Sequence, residues 1–367
     1  MRLFLSPVGT STITNFVKKQ KLEYDVYSFA NLKKEEYEQE NLAELNKIAE
    51  SLKKQALNWS IDEAKKASAE LNGLLSFDTK YTKNDLLYFV VTDTYQSNLA
   101  FEVVNTFLKS NFDIEGQKIE LKSLTTKNKH EFVEGIKELL RWVNQHLPGY
   151  IKNNYSVYFN LTGGFKSLLG YLTPVGMFYA NSIFYIFETG ELIEIPKLPI
   201  TIDYTLFESK AKEFLLMDAN YFFTKNDITE IPVTLLDQVE EDYFGLSLWG
   251  ELMWSQAKKE ILTKELISLP ALYYEPSFKN DFNEKNTNEQ RIQLQETLAK
   301  VSCLLLENNY DISALKKDHG LRYENCKGKK NGKTIGHFRY NQAQRVSCIA
   351  EKNGLTLLRN GFHDVCD

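Results

Sequence analysis

In the first half of the chain, the residues able to do chemistry gather at strand ends. Residues 155–171 read YSVYFNLTGGFKSLLGY. An apolar run from Tyr155 to Leu161 has the length and aromatic content of a buried strand. Thr162-Gly163-Gly164 and Phe165-Lys166-Ser167 follow, then an apolar run fit for a helix. Adjacent glycines let a backbone approach a ligand closely, free N–H groups at a helix start favour an anion, and Lys166 adds positive charge. The implied chemistry is binding of a phosphorylated group. The loop is not a Walker A motif, because Phe165 stands where that motif has Gly, and its spacing is not GxGxxG. A tight strand-to-helix turn accounts for Gly-Gly about as well as a ligand does, so context must decide.

Two further strand ends supply that context. MRLFLS reads as a buried first strand, turned by Pro7-Val8-Gly9 and followed by Thr10, Ser11, Thr12 and Thr14. One such hydroxyl would cap the next helix; four within five residues exceed what a cap needs, and hydroxyls also donate to phosphates. Residues 86–93 (LLYFVVTD) form a third strand signal, followed by Thr94-Tyr95-Gln96-Ser97-Asn98 and an apolar-periodic stretch over 99–108. Three strand-to-helix junctions with small polar residues predict an open α/β sheet, which binds ligands outside the carboxyl ends of its strands.

SPVGTSTITN, DTYQSN and NLTGGFKS, in this order, resemble the CRISPR-associated Rossmann-fold (CARF) sensor domain, and IFYIFETGELIEIPKLPI over 183–200 resembles its terminal hairpin. The resemblance covers 1–200, with an insertion-like helical stretch inside. It implies an α/β Rossmann-like homodimeric receptor whose ligand, a cyclic oligoadenylate, lies across the dimer axis and acts as an allosteric activator. Carried over by motif, Gly9, Thr10, Ser11, Gly163, Gly164, Phe165 and Lys166 would touch that ligand. Some members also cleave their ligand, which leaves a ring nuclease as an alternative.

Composition fits a soluble globular protein of two or three domains: 367 residues, 43% hydrophobic and 25% charged. No apolar run reaches transmembrane length and no signal peptide is read, so a cytoplasmic location without membrane association is expected. Cys303, Cys326, Cys348 and Cys366 form no CxxC pair and read as reduced structural thiols, with no metal expected. The net charge of −5 hides an asymmetry. Between Tyr310 and His363 there are eleven Lys/Arg against four Asp/Glu, a surplus of seven, which leaves −12 elsewhere. A basic module on an acidic body suits a nucleic-acid contact; solvated loop lysines are the plainer alternative.

Along the chain, 41–75 predicts one or two amphipathic helices through Leu45, Ile48, Leu52, Leu57, Ile61, Ala64, Ala67 and Leu71. Residues 130–147 predict another, ended by Pro148-Gly149, with Trp142 as packing. In 201–268, helical patterns at 208–216 and 246–262 flank a mixed segment, which reads as a helical connector or a winged helix-turn-helix. Its acidic character favours a dimerisation or relay role over DNA reading. Residues 269–367 read as a strand at 270–274, a helix at 288–308 and strands at 321–324, 334–340, 345–350 and 355–359, a compact α+β domain.

That order, with GHFRYNQAQRVSCIAEKNGLTLLRNGFHD, resembles RelE-type mRNA interferases. The two resemblances together match CARF–RelE proteins, the CRISPR-associated mRNA interferases, which carry a winged helix-turn-helix between sensor and nuclease. The implied activity is metal-independent mRNA cleavage with the ribosome as partner. RNA supplies its own 2′-OH nucleophile; the protein must hold it in line, exchange protons and stabilise the phosphorane. Arg339 and Arg345 are the natural clamps. His337 and His363 exchange protons near neutral pH, and His363 sits at the family's functional turn; a strand-face histidine is the rival reading of His337. Lys327, Lys329, Lys330 and Lys333 read as grips on RNA backbone, with surface charge the rival reading. Tyr340 reads as a core residue or a base-stacking one. A ligand-responsive transcription regulator, reading DNA through 201–268, is the alternative from another functional class.

Overall fold

Strands of the first half are short and apolar because they are parallel and covered on both faces. The computed structural model describes residues 1–125, 127–199 and 201–362, with the backbone only at Lys327. Residues Met1–Thr201 and Ile202–Asp367 form two units, each described by itself.

In the first unit, β1 (Arg2–Pro7), β2 (Leu86–Val91), β3 (Gln117–Glu120), β4 (Ser156–Asn160), β5 (Ser182–Ile186) and β6 (Leu192–Pro196) form one sheet in the order β3-β2-β1-β4-β5-β6. The first five are parallel, and β6 returns antiparallel on β5 as the expected hairpin. This mixed α/β arrangement is compatible with a Rossmann-like fold. Leu3, Phe4 and Leu5 of the central strand are fully buried, and Phe4 packs among Phe77, Tyr81, Tyr158 and Phe184. The chain leaves β1 towards β2 and later returns to β1's other side as β4, so strand order reverses between β1 and β4. A ligand crevice is expected at that reversal.

Seven helices accompany the sheet: α1 (Ser11–Gln20), α2 (Gln39–Ala56), α3 (Ile61–Ala67), α4 (Ala69–Phe77), α5 (Tyr95–Phe112), α6 (Lys129–Lys152) and α7 (Lys166–Tyr179). The stretch read as one or two helices is three. Ser60 and Glu63 form a capping box that starts α3, and the Ser68 hydroxyl accepts from the Leu71 N–H to start α4. Pro148 does not end α6, which runs through it to Lys152. A proline removes one helical bond, and packing outweighs that loss here: Leu147 is fully buried and Tyr150 bonds to Tyr88. Trp142 packs as read, stacked on His146 and edge-on to Tyr88.

The second unit holds α8 (Thr205–Ser209), α9 (Ala211–Asp218), β7 (Phe223–Thr224), β8 (Leu236–Glu240), β9 (Tyr243–Leu246), α10 (Leu248–Lys264), β10 (Leu272–Tyr274), α11 (Pro276–Lys285), α12 (Asn288–Glu307), α13 (Ser313–Lys317), β11 (Glu324–Lys330), β12 (Lys333–Arg339), β13 (Arg345–Glu351) and β14 (Gly354–Gly361). A small antiparallel sheet has the order β7-β9-β8; a larger one runs β10-β14-β13-β12-β11, with only β10 and β14 parallel. One apolar core spans both, from Phe214 and Trp254 to Leu298 and Phe338. The 201–268 segment and the C-terminal strands therefore share an interior. Buried Gln295 of α12 ties them further: it donates to the Leu262 and Glu265 carbonyls and accepts from the Ile267 N–H.

A buried carboxylate anchors the last strand. Asp281 of α11 accepts from Arg359 Nε at 2.5 Å and Nη2 at 3.0 Å, from the Asn360 N–H at 3.2 Å, and pairs with Lys285 at 2.8 Å. Burial pushes its pKa up, but the bonds from Arg359, Lys285 and Asn360 outweigh that and hold it below the ordinary carboxylate value. With the folded pKa below the unfolded one (about 3.9), the stabilisation is present above the unfolded pKa and is lost as pH falls through the folded one. Asp281→Asn is expected to cost about 2 kcal/mol at pH 7 and to flatten the acid limb of stability. Urea titrations at pH 7 and pH 4 measure both, and equal acid limbs in the two proteins would contradict this assignment. Among the described residues no helix is long and apolar enough to cross a membrane.

Candidate functional site

Three loops meet at the carboxyl end of the first sheet, from β1, β2 and β4. The β1 and β4 loops touch through their glycines: a Cβ on Gly9 would lie 3.2 Å from the Gly164 nitrogen. Gly164 has φ +89°, a left-handed conformation, and a Cβ there would meet Pro7 at 2.8 Å. The pair is thus required by backbone approach. A cleft of about 150 Å³ lies beside it, lined by Gly9, Thr10, Asn31, Thr92, Gly164 and Phe165 among others.

Two helices open onto this crevice with exposed dipole ends. Neither α1 (after Thr10) nor α7 (after Phe165) has a side-chain cap, and neither has an acid in its first turn. The third helix, α5, is capped by the Thr94 hydroxyl, which accepts from the Ser97 N–H. Uncapped N-termini leave backbone donors and a partial positive charge for an anion. Lys166 is exposed and makes no ion pair among the described residues. The Phe165 ring is held edge-on by Phe132 of α6.

Hydroxyls after β1 are not all turned to the cleft. Thr12 and Thr14 are buried. Ser11 accepts from the Ala69 N–H and donates to Glu70 at 3.1 Å. Glu70, fully buried, also accepts from the Gly9 N–H at 2.9 Å and the Ser68 hydroxyl at 2.7 Å. Gly163 packs on the same carboxylate, where a Cβ would lie 2.3 Å from Oε1. Ser11 and Gly163 are therefore engaged by Glu70, Gly9 both bonds Glu70 and lines the cleft with Thr10, Gly164 and Phe165, and Lys166 follows at the start of α7 outside the lining. Glu70 was missed in the sequence. Its signal is an acid on the stripe marked by Ala67, Leu71 and Leu74, where an apolar residue belongs.

In the second unit, register brings the C-terminal candidates together. Arg339 of β12 lies directly opposite Arg345 of β13, which lies opposite Gly361 of β14. Two residues back, His337 pairs with Ser347, and Ser347 with Arg359. Side chains two apart on a strand share a face, so Arg339, Arg345, His337, Ser347 and Arg359 occupy one face. Arg345 is buried at 7% exposure; its Nη1 donates to the Ala343 carbonyl at 3.2 Å and its Nε has no partner among the described residues. Neither Arg339 nor Arg345 makes an ion pair among the described residues. Like charges directly opposite on a sheet repel. His337 is buried, with Nδ1 3.4 Å from Cys326 Sγ, and the Ser347 hydroxyl is buried without a partner. His363 lies outside the described residues, as does the side chain of Lys327. Lys330 pairs with Glu275 and Lys333 with Glu351, which leaves Lys329 exposed without an ion pair. Tyr340 is a core residue: its hydroxyl accepts from Asn286, and burial pushes its pKa up to about 12. Among the described residues Cys303, Cys326 and Cys348 form no disulfide.

The first unit is therefore a mixed α/β unit with two uncapped helix N-termini at the crevice where its strand order reverses. Residues 65–198 match the model of a CRISPR-associated protein family (Cas_APE2256). The match takes in Glu70, β2 through β6 and Gly163–Lys166, and it supports a CRISPR association for the chain.

Proposed function

We propose that the chain is a ribonuclease of type III CRISPR antiviral defence, switched on by a cyclic oligoadenylate. Residues 1–200 act as a CARF sensor in a homodimer, 201–268 as a winged-helix connector, and 269–367 as a RelE-like nuclease cutting mRNA, on the ribosome by resemblance. The single observation that carries this reading is the Arg339–Arg345 pair: two arginines directly across a sheet, one of them buried, neither with an ion pair among the described residues. Such a pair suits an anion with charge on several oxygens, as a phosphorane has.

In the proposed reaction the RNA 2′-oxygen attacks the adjacent phosphorus while the bond to the 5′-oxygen breaks. One histidine of His337 and His363 takes the 2′-proton, and the other gives a proton to the leaving oxygen. The products are a cyclic phosphate end and a 5′-hydroxyl. Arg339 and Arg345 stabilise the equatorial charge, and Lys329 grips the RNA backbone.

The uncapped N-termini of α1 and α7, with Thr10 and Gly164 lining the crevice and the exposed Lys166 opening α7, support an anionic trigger in the sensor. A small cleft in each protomer suits one part of a ring held across a dimer axis. A trigger shifts the equilibrium only by binding the active arrangement more tightly. Ribosome-bound mRNA incubated with and without cyclic tetra-adenylate tests the whole: cleavage only with the ligand is expected, and equal cleavage in both arms sinks the proposal. For the sensor alone, Lys166→Ala is expected to weaken ligand binding about tenfold, equivalent to about 1.4 kcal/mol. Unchanged calorimetric affinity in that variant would remove Lys166 from the site.

A further inference from the structure

A second cavity lies outside the crevice, among α1, α2 and α3. Its volume is about 280 Å³, near the lower end for small-molecule sites (about 300–1,000 Å³). Phe16, Leu52 and Trp59 supply apolar lining, and three exposed lysines, Lys18 and Lys19 of α1 and Lys66 of α3, stand around it.

None of these lysines makes an ion pair among the described residues. Glu63, the acid lining the same cavity, accepts from the Ser60 N–H and hydroxyl, both at 2.9 Å, and its charge acts at longer range on Lys19 and Lys66 without an ion pair. Three lysines against this one acid leave a net positive balance around an apolar pocket. The wall is fixed in place: the Asn15 amide of α1 donates to the Lys66 and Ala67 carbonyls at 3.3 and 3.2 Å. Thr12, which also lines the cavity, is fully buried, and its hydroxyl has no hydrogen-bond partner. An orphaned hydroxyl is costly, and this one is closed off from the cavity as the protein stands, so the lysines and the aromatic lining define the site.

We propose that this cavity binds a small aromatic phosphate of mononucleotide size, its ring against Phe16 and Trp59 and its phosphate among Lys18, Lys19 and Lys66. The aromatic lining selects a planar body, since flat rings stack favourably on aromatic side chains. The lysines select the anion, and the volume excludes an oligonucleotide ring. The site is separate from the crevice, and its existence does not depend on what the crevice binds.

Calorimetry with adenosine monophosphate as probe, with adenosine and inorganic phosphate as separate arms, tests the site on the full chain. Adenosine monophosphate is expected to bind more tightly than either fragment, with affinity falling as salt rises. Lys19→Glu with Lys66→Glu, both exposed positions, is expected to reduce that affinity at least tenfold while leaving the urea midpoint in place. Undetectable binding at millimolar probe overturns the proposal, and so does binding that the double variant leaves unchanged.

Discussion

Glu70→Ala is expected to lower the stability of the first unit by about 3 kcal/mol, whereas Glu70→Gln costs about 1 kcal/mol and tightens anion binding in the crevice several-fold. The wild-type carboxylate is fully buried and accepts three bonds, from Gly9, Ser11 and Ser68. Alanine orphans those donors, opens a void beneath Gly163 and frees the β1 loop from α4. The Asn160 amide still reaches the Glu70 main-chain carbonyl at 2.9 Å, so β4 stays tied to α4 in either variant. Glutamine keeps an oxygen for the Gly9 N–H, and its amide group can donate to the Ser11 and Ser68 hydroxyls. What it removes is the negative charge, which in the wild type opposes an anion approaching the N-termini of α1 and α7. Urea unfolding separates the two substitutions, and calorimetry with cyclic tetra-adenylate reads the charge effect. Equal stabilities of the alanine and glutamine variants would show that the three bonds do not hold the loop. Weaker binding by the glutamine variant would show that the charge helps the ligand instead of opposing it.

Which parts were legible in the sequence follows from burial. Strands β1, β2 and β4 are continuous apolar runs because parallel strands are covered on both faces. β3 reads QKIE, an edge strand with one deeply buried residue, and carries no run to read. β11 reads ENCKGKK and lies at the other sheet's edge, where lysines blunt further pairing; the expected strand at 321–324 stops where the actual one starts. α11 is not legible because a helix opening with Pro276 and mixing Phe278 and Phe282 with six charged or amide side chains has a weak period. The crevice loops were legible from Gly, Thr and Lys at strand ends, a local pattern. Glu70's grip on Gly9 joins residues sixty-one apart and exists only once α4 is folded against β1. Likewise the arginines are visible in the sequence one by one, but only strand register makes them a pair.

Arg345→Met is expected to reduce ligand-dependent RNA cleavage at least a hundredfold, on the scale of losing one transition-state hydrogen-bond donor (about 10²–10³), without lowering stability. A residue that only holds the fold would behave otherwise. Arg345 is buried, has no ion pair among the described residues and faces Arg339 across the sheet. Its side-chain donation to protein is one 3.2 Å bond to the Ala343 carbonyl. Methionine fills similar volume, avoids the cavity that alanine would leave, and removes both the desolvated charge and the repulsion; such replacements of buried charge are often neutral or stabilising by about 1–4 kcal/mol. The expected signature is therefore a lost activity with an unchanged or raised urea midpoint, the pattern of a site maintained at the expense of stability. Arg339→Met, at a more exposed position, is expected to show the same loss of cleavage with a smaller change in midpoint. Undiminished cleavage by either variant removes that arginine from the site. A fall in midpoint matching the fall in activity would return Arg345 to a structural role, and the ribonuclease reading would lose the observation that carries it.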